Sequence, residues 1–468
     1  MNKLVYKLVS VLALLALASG SVASVGAAPA QAVTAKTYIV DKNNIGGNGC
    51  NNTWPGTLAR PLCSIPRGVA RLKPGDTLLV RRGTYPAFEV KKSGAAGKYI
   101  TIAGYKTERP LIKGGVGIKL IGTAYVRIRQ FEVTNASANG DYMGGITVTP
   151  SSSVNPHHNI IEKNRVHHNT AENMSGIKIA DGSYNKVLHN VVYNNYFAGI
   201  RVVSNSAAMT GNEIGFNRVY NQTLAGGDSD GIGLYGEKLT HTNIHDNVVY
   251  GNSDDGIDTW DTSGNIIDGN IVYNQNGVGD GNGIKVGGTA SGGHNTIKNN
   301  VAYNNKSNGF HSNRSGGNVY YNNVAYKNKG WGFQDVERVD SSCTLLTCGG
   351  KFINNIGYNN GKGNFAAGKY TAVAHNNIWF SDSGGAKVSY NYKVYSNLPA
   401  FYKASGKRLD NPNNGSLSSL QVNPKFVNAL KFNFKLQSAS PAIDRGDPAN
   451  PGQVKAVRRV DIGAFEAP

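Results

Sequence analysis

Acidic residues are scarce in this chain: Asp and Glu number 29 against 48 Lys and Arg, a formal net charge of +19. Such a balance favours a polyanionic partner, namely nucleic acid, anionic lipid or an acidic polysaccharide. Charge of either sign is sparse, at 16% of residues, well below the usual quarter. Beyond the N-terminal region no apolar run approaches the ~18 residues of a membrane span, so the mature chain is expected to be soluble. There are four cysteines, Cys50, Cys63, Cys343 and Cys348. No matching Cys/His pattern accompanies them, which argues against zinc. The Leu/Asn consensus of leucine-rich repeats is missing as well.

What is present begins with an export signal. Lys3 and Lys7 precede the apolar run Leu8 to Ala18, and small-residue patterns follow it. These features predict a signal peptide over 1–32, cleaved after Ala30 or Ala32, and a secreted protein. Export permits disulfides. Four cysteines allow three pairings, and proximity favours Cys50–Cys63 and Cys343–Cys348. Export also shifts the expected partner from nucleic acid to acidic polysaccharide. No nucleic-acid or membrane partner is expected, and the chain is expected to act as a monomer.

Residues 33–97 read as an N-terminal cap with the first strands, Thr37 to Asp41 and Leu78 to Arg82. Between them, Ser64 to Leu72 reads as a short amphipathic helix with Ser64 as its N-cap and Ile65, Val69 and Leu72 on its apolar side. From 98 to 380 short strands alternate with Gly, Asn, Ser and Asp. The unit Asn-x-(Val/Ile)-x-Asn, or a close variant, recurs from Asn164 to Asn377 at intervals of 22–32 residues. A Gly-(Ile/Phe) unit recurs from Gly176 to Gly332, and a tyrosine column runs Tyr193, Tyr220, Tyr250, Tyr273, Tyr303, Tyr326, Tyr358. This period, with short strands, means one coil per repeat of a parallel β-solenoid. The Asn and Tyr columns are read as stacked structural features. An enlarged turn between Gly199 and Gly231 is read as a cleft wall. Residues 381–468 read as the last coils and a C-terminal cap, with Asp444 and Asp461 as turn residues.

The Gly-Ile unit sets a register. Alternate side chains of a strand face opposite ways. The residue after each Ile therefore points to solvent: Lys178, Arg201, Gly233, Asp258, Lys285, His311, Gln334. The next outward column carries Tyr235 and Trp260 on neighbouring coils. Gly233 is read as open space, and His311 as an inert, solvent-facing residue. Asp230 and Asp255 immediately precede the Gly on consecutive coils, and Asp254 adds a further carboxylate. Asp230, Asp254, Asp255 and Asp258 thus converge, with the Gly256 carbonyl nearby. So many carboxylates repel one another unless a hard cation with oxygen ligands joins them, and Ca²⁺ fits this set.

These residues resemble a known family. Asp230, the Asp254-Asp255-x-x-Asp258 cluster and Gly283-Ile284-Lys285 are similar to the calcium-and-lysine site of the pectate lyases of polysaccharide lyase family 9. The specific motifs span about 229–288. The resemblance implies an all-β, right-handed parallel β-helix and β-elimination on polygalacturonate. It also implies calcium held by Asp230, Asp254, Asp255, Asp258 and the Gly256 backbone, with Lys285 as Brønsted base. Arg201, Tyr235 and Trp260 are candidate substrate-binding residues from column geometry. A lysine base must be neutral. Ca²⁺ and Arg201 are expected to lower its pKa against the opposing carboxylates, giving an alkaline optimum. Three alternatives stand beside this reading. One is a lyase on alginate or a glycosaminoglycan. Another is a polygalacturonase-like hydrolase, whose Asp-Asp and Ile-Lys elements are echoed but whose intervening His is missing. The third is a non-catalytic polysaccharide-binding β-helix.

Overall fold

The computed structural model describes residues 34–137, 143–223, 226–288, 292–336, 344, 348–411, 413, 415, 418–448 and 460–466. The expected signal segment 1–32 and Cys343 lie outside them. Among the described residues, no helix is long and apolar enough to cross a membrane.

Three parallel sheets of 13, 13 and 12 strands wind as a right-handed β-helix, each coil giving one short strand to each sheet. The inward column Ile177, Ile200, Ile232, Ile257, Ile284 is wholly buried, and it continues through Phe310 and Phe333, whose rings stack at 4.7 Å. Burying such a column is the main stabilising contribution of every coil.

The recurring Gly before each Ile sits where a coil turns from one sheet to the next. A Cβ at Gly256 would lie 2.2 Å from Val272 Cγ1 and 2.6 Å from the Gly283 carbonyl. Only a residue without a side chain fits between the core of one sheet and the backbone of the following coil.

The asparagine column forms a buried amide ladder. Each Nδ2 donates to the Oδ1 one coil on, from Asn164–Asn190 at 3.1 Å through Asn270–Asn300 at 3.0 Å to Asn355–Asn377 at 3.2 Å. The residue before several ladder asparagines is left-handed, as at Lys163 (φ 57°) and His189 (φ 56°), which makes the corner sharp. The tyrosine column stacks as expected: Tyr193–Tyr220, Tyr220–Tyr250 and Tyr250–Tyr273 centroids are each 4.9 Å apart.

Both ends are closed. At the N-terminal end a helix, Ile65–Arg71, buries Ile65 and Val69. Its predicted N-cap differs: the Ser64 side chain makes no capping bond. Instead Ser64 N and Oγ both donate to Asn52 Oδ1, held in the loop that the Cys50–Cys63 disulfide closes. At the other end the helix Leu398–Ala404 buries Leu398 and Phe401. Phe426, Phe434, Leu436 and Ile462 then pack over Tyr303, Tyr326 and Tyr358. Asp461 Oδ1 accepts from Asp444 N at 2.8 Å, a structural bond between these two turn residues.

Candidate active site

The predicted register is the observed one. Lys178 pairs with Arg201, Arg201 with Gly233, Gly233 with Asp258, Asp258 with Lys285 and Lys285 with His311. Tyr235 pairs with Trp260. The strands concerned are Ile200–Val203, Ile232–Tyr235, Ile257–Trp260, Ile284–Gly287 and Phe310–Asn313.

The outward column is nevertheless covered at Asp258 and Lys285 rather than open. Asp258 is 4% and Lys285 5% exposed, because turns from adjacent coils fold over them. The glycine-rich loop 277–281 lies on Ser253 and Asp254: Gly279 N donates to Ser253 O at 2.9 Å, and Asp280 N to Asp254 Oδ1 at 2.6 Å. Lys306 Nζ holds this loop through the carbonyls of Gly277 (2.9 Å) and Gly279 (2.8 Å). The short helical turn Gly226–Asp228, in the enlarged turn, runs beside it at Gly279.

The acids divide into two overlapping triads. Asp230, Asp255 and Asp258 each offer an oxygen within 4.8 Å of the others, and so do Asp254, Asp255 and Asp280. The four predicted acids are thus brought together around Asp255, but Asp254 belongs to the second triad. Asp280 was missed by the sequence reading. Its signal is the longer run from Tyr273 to Gly283, 10 residues against 6 from Tyr250 to Gly256 and from Tyr303 to Gly309, where the loop places it opposite Asp254.

The carboxylates are only partly satisfied. Asp230 Oδ1 accepts from Asp255 N at 3.0 Å, and its Oδ2 accepts the Tyr235 hydroxyl. Asp255 Oδ1 accepts from Asn282 N (2.7 Å) and Nδ2 (2.9 Å). Asp258 Oδ1 is buried without a hydrogen bond, and Asp255 Oδ2 has Lys285 for its partner. Lys285 Nζ lies 3.0 Å from Asp255 Oδ2, 3.7 Å from Asp258 Oδ2 and 3.1 Å from Asp280 Oδ2. It also lies 5.5 Å from the Trp260 ring centroid, within cation–π range.

Burial and mutual repulsion push these acids up. Burial, then Asp255, raises Asp254 to about 8. Burial raises Asp258 to about 8, and Asp255 and Asp254 add to the shift against Lys285. Asp230 is pushed well above the carboxylate range by burial and by Asp258 and Asp255. Buried oxygens that favour a proton, one of them lacking any bond, fit a hard divalent cation, and the all-oxygen donor set fits calcium.

Three predictions at this site need correction. Among the protein's own groups the carboxylates prevail at Lys285: burial opposes its charge, but Asp258, Asp255 and Asp280 hold the ammonium above the ordinary lysine range. Arg201 does not lower it, being three strands away. Gly233 is not open space. The Tyr235 ring folds back over it, so that a Cβ there would meet Tyr235 Oη at 2.4 Å. The Gly256 carbonyl accepts from Ile232 N at 3.0 Å, a bond of the sheet that uses one of its two lone pairs. His311 is only partly solvent-facing. Both ring nitrogens are buried, and burial, with Lys285 beside it, pushes it down to about 4.

Arg201 is packed between two rings, its guanidinium carbon 4.8 Å from the Phe197 centroid and 4.9 Å from that of Tyr235. Tyr235 therefore links two parts of the groove: its face to Arg201 and its hydroxyl to Asp230.

Fold and site define a class, a right-handed parallel β-helix with a buried acid-and-lysine cluster on one sheet. Residues 47–342 match the family described as "Pel9A-like, right handed beta helix region", and the chain belongs to that family. It is 26% identical over 311 residues to "Pectate lyase L" of Dickeya dadantii (strain 3937), covering 60% of this chain. It is 24% identical over 360 residues to "Pectate lyase L" of Paenibacillus polymyxa (strain SC2), covering 69% of this chain. The aligned stretches span 63% and 65% of those relatives' lengths. Among solved structures, pectate lyase Pel9A superposes with a TM-score of 0.58 at 18% identity, covering 93% of this chain and 97% of that one. The PL6 family alginate lyase AlyGC gives 0.52 at 15% identity, covering 71% and 49%. The shared fold thus extends over proteins named for different substrates.

Proposed function

We propose that this chain is a secreted, calcium-dependent polysaccharide lyase that cleaves polygalacturonate by β-elimination. One observation carries the reading: a buried lysine amine on the strand next to Asp258, within 3.0 Å of Asp255, beside carboxylates gathered closely enough to share a cation. The family's relatives named pectate lyase supply the substrate class. Asp230, Asp254, Asp255 and Asp258 would hold the calcium, and Asp280 joins them from the second triad. When bound, calcium supplies the positive charge those carboxylates otherwise draw from Lys285, and stabilises negative charge on the substrate carboxylate.

Lys285 acts as the base. Its neutral amine takes the proton from C5 of a uronate. The C5–H electron pair becomes the C4=C5 double bond, the C4–O bond breaks, and the glycosidic oxygen leaves with the bonding pair and takes a proton from solvent water. Trp260 packs against Lys285 and walls the site. Tyr235 orients Asp230 through its hydroxyl, and the Arg201 guanidinium meets a substrate carboxylate from its aromatic slot.

A panel of uronans, assayed by ultraviolet absorbance of the unsaturated product with and without a chelator, tests this. Polygalacturonate should give the fastest rise, abolished by chelation and restored by Ca²⁺. Reducing sugar released without new absorbance means hydrolysis instead. Activity indifferent to chelation removes calcium from the reading.

A further inference from the structure

The outward column that carries Asp258 and Lys285 runs on beyond them, through His311 to Gln334, Ala366 and Ser389. Past His311 the column carries no charge, and a cleft of about 460 Å³ lies over Gln334, Ala366 and Ser389. Trp331 and Tyr392 also line it, with Arg314 and Lys369, both exposed. Trp331 immediately precedes Gly332, the slot that Asp230 and Asp255 fill, three coils beyond Asp255. Its ring lies against the next coil at Gly363, where a Cβ would meet Trp331 Cζ3 at 2.3 Å. The acid lining the cleft among the described residues, Asp335, is buried and accepts the Thr371 hydroxyl at 2.8 Å. The same groove that gathers acids around Lys285 thus ends in aromatic rings and exposed cations.

The hairpin beside this cleft does not need a tyrosine at its tip. Its strands, Val388–Tyr390 and Lys393–Tyr395, are antiparallel and end the sheet. The two turn residues, Asn391 and Tyr392, both have positive φ, 48° and 65°. That is the pattern of a type I′ turn, in which Gly usually follows Asn. A bulky residue is costly in this conformation. Elsewhere in the solenoid, left-handed aromatic residues stack on a neighbouring ring, as Tyr125 does on His158 and Phe216 on His189. At Tyr392 no such stack offsets the cost, since the residue is 97% exposed. A pyranose presents a face of C–H groups that packs on the electron-rich face of an aromatic ring. A uronate adds a carboxylate, the group with which Arg and Lys pair. We infer that the Trp331–Tyr392 cleft is a sugar subsite of the same groove: Tyr392 stacks on a uronate ring of the polysaccharide, and Arg314 and Lys369 meet its carboxylate. Strands lie ~4.8 Å apart, so Gln334 is two strand steps and Ser389 four from Lys285. A 1,4-linked uronan advances by a distance comparable to one step per sugar, so the subsite takes a sugar removed from the cleaved bond and favours long chains. This inference rests on the lyase reading for its substrate class.

Tyr392→Gly tests this, because it removes the ring and relieves the turn at once. Tm should hold or rise while recognition of long chains weakens, a split that a tyrosine serving only the hairpin would not produce. With oligogalacturonides of graded length, wild-type KM should fall once the chain is long enough to reach the cleft. In Tyr392→Gly that gain should be lost, a roughly tenfold rise in KM for long chains, carried by KM rather than kcat. Tyr392→Trp, which keeps an aromatic face, should retain the gain. The same KM-versus-length profile in wild type and Tyr392→Gly overturns the inference, as does a wild type whose KM ignores length. If no uronan is cleaved at all, the lyase reading fails, and calorimetry with polygalacturonate reads the subsite directly. Binding weakened roughly tenfold in Tyr392→Gly supports the subsite; binding equal in the two proteins, or absent from the wild type, overturns it.

Discussion

Asn252 and Asp255 lie in one turn, both fully buried, and they are opposites. Asn252 belongs to an amide ladder whose members satisfy one another. Its N and Nδ2 both donate to Gln275 Oε1, at 2.9 and 3.1 Å, and its Oδ1 accepts from Gln222 N. Asp255 belongs to a cluster that cannot close on itself, since carboxylates only accept. Its Oδ2 relies on the charge of Lys285. A buried polar array with complete partners holds a fold together, whereas one with unbonded charged oxygens is arranged for a ligand. Both arrays repeat with the coil, so periodicity alone does not separate them; hydrogen-bond completeness does.

The sharpest break between the two is at Lys285. Replacing it with alanine should lower kcat by ~10²–10⁴-fold, the range for losing a positioned proton acceptor. Calcium affinity, measured by calorimetry, should hold or increase, because a competing cation has left the carboxylates. Retained turnover would mean that Lys285 is merely a counter-ion, as structural as the ladder.

Tyr235→Phe probes the edge of the cluster. It removes the hydroxyl that donates to Asp230 Oδ2 while keeping the ring over Gly233 and Arg201. Losing a group that orients a metal ligand typically costs 10–100-fold in affinity. The calcium concentration for half-maximal activity should rise accordingly, with kcat at saturating calcium close to wild type. A fall in kcat at saturation would instead place the hydroxyl in the chemistry.

The two arrays should also differ in their response to pH. Asp254 and Asp258 are raised to about 8 by burial and by neighbouring carboxylates. An unfolded aspartate titrates near ~3.9. Between those values the native state holds more protons than the unfolded one, so stability falls as pH rises. In chelator, Tm should therefore decline from pH ~4 towards about 8, and saturating Ca²⁺ should flatten the slope. The amide ladder carries no titrating group and contributes nothing to it. A Tm independent of pH in chelator would mean the acids are already compensated within the protein.

The coil geometry was legible because it repeats. The Gly and Asn spacings placed Asp258 beside Lys285 and Tyr235 beside Trp260, and the structure has both pairs. What was not legible comes from turns that do not repeat. Asp280 rides on a loop whose course depends on Lys306 and on glycines packed against Ser253 and Asp254. That loop is also part of why Lys285 is buried. The Tyr235 ring lies over Gly233 because a glycine stands on its own strand, a relation that alternation assigns to empty space. His311 differs for a related reason: its side chain is partly exposed, but its ring nitrogens, the atoms that would titrate, are buried.

The smallest functional effect belongs to the second amide ladder, which runs through Asn247, Asn270 and Asn300 at another corner of the coil. Asn270→Ala removes an amide that donates to Ile244 O, Asp268 O and Asn300 Oδ1 and accepts from Asn247 N and Nδ2. Each buried group left without a partner costs about 1–3 kcal/mol, so Tm should drop by several degrees. The site lies on another sheet and its carboxylates lose no bond. The specific activity of the folded fraction and its calcium requirement should therefore match wild type. A changed calcium requirement would show that this corner and the cluster are coupled across the coil, and that the separation between scaffold and site is less complete than their bonding implies.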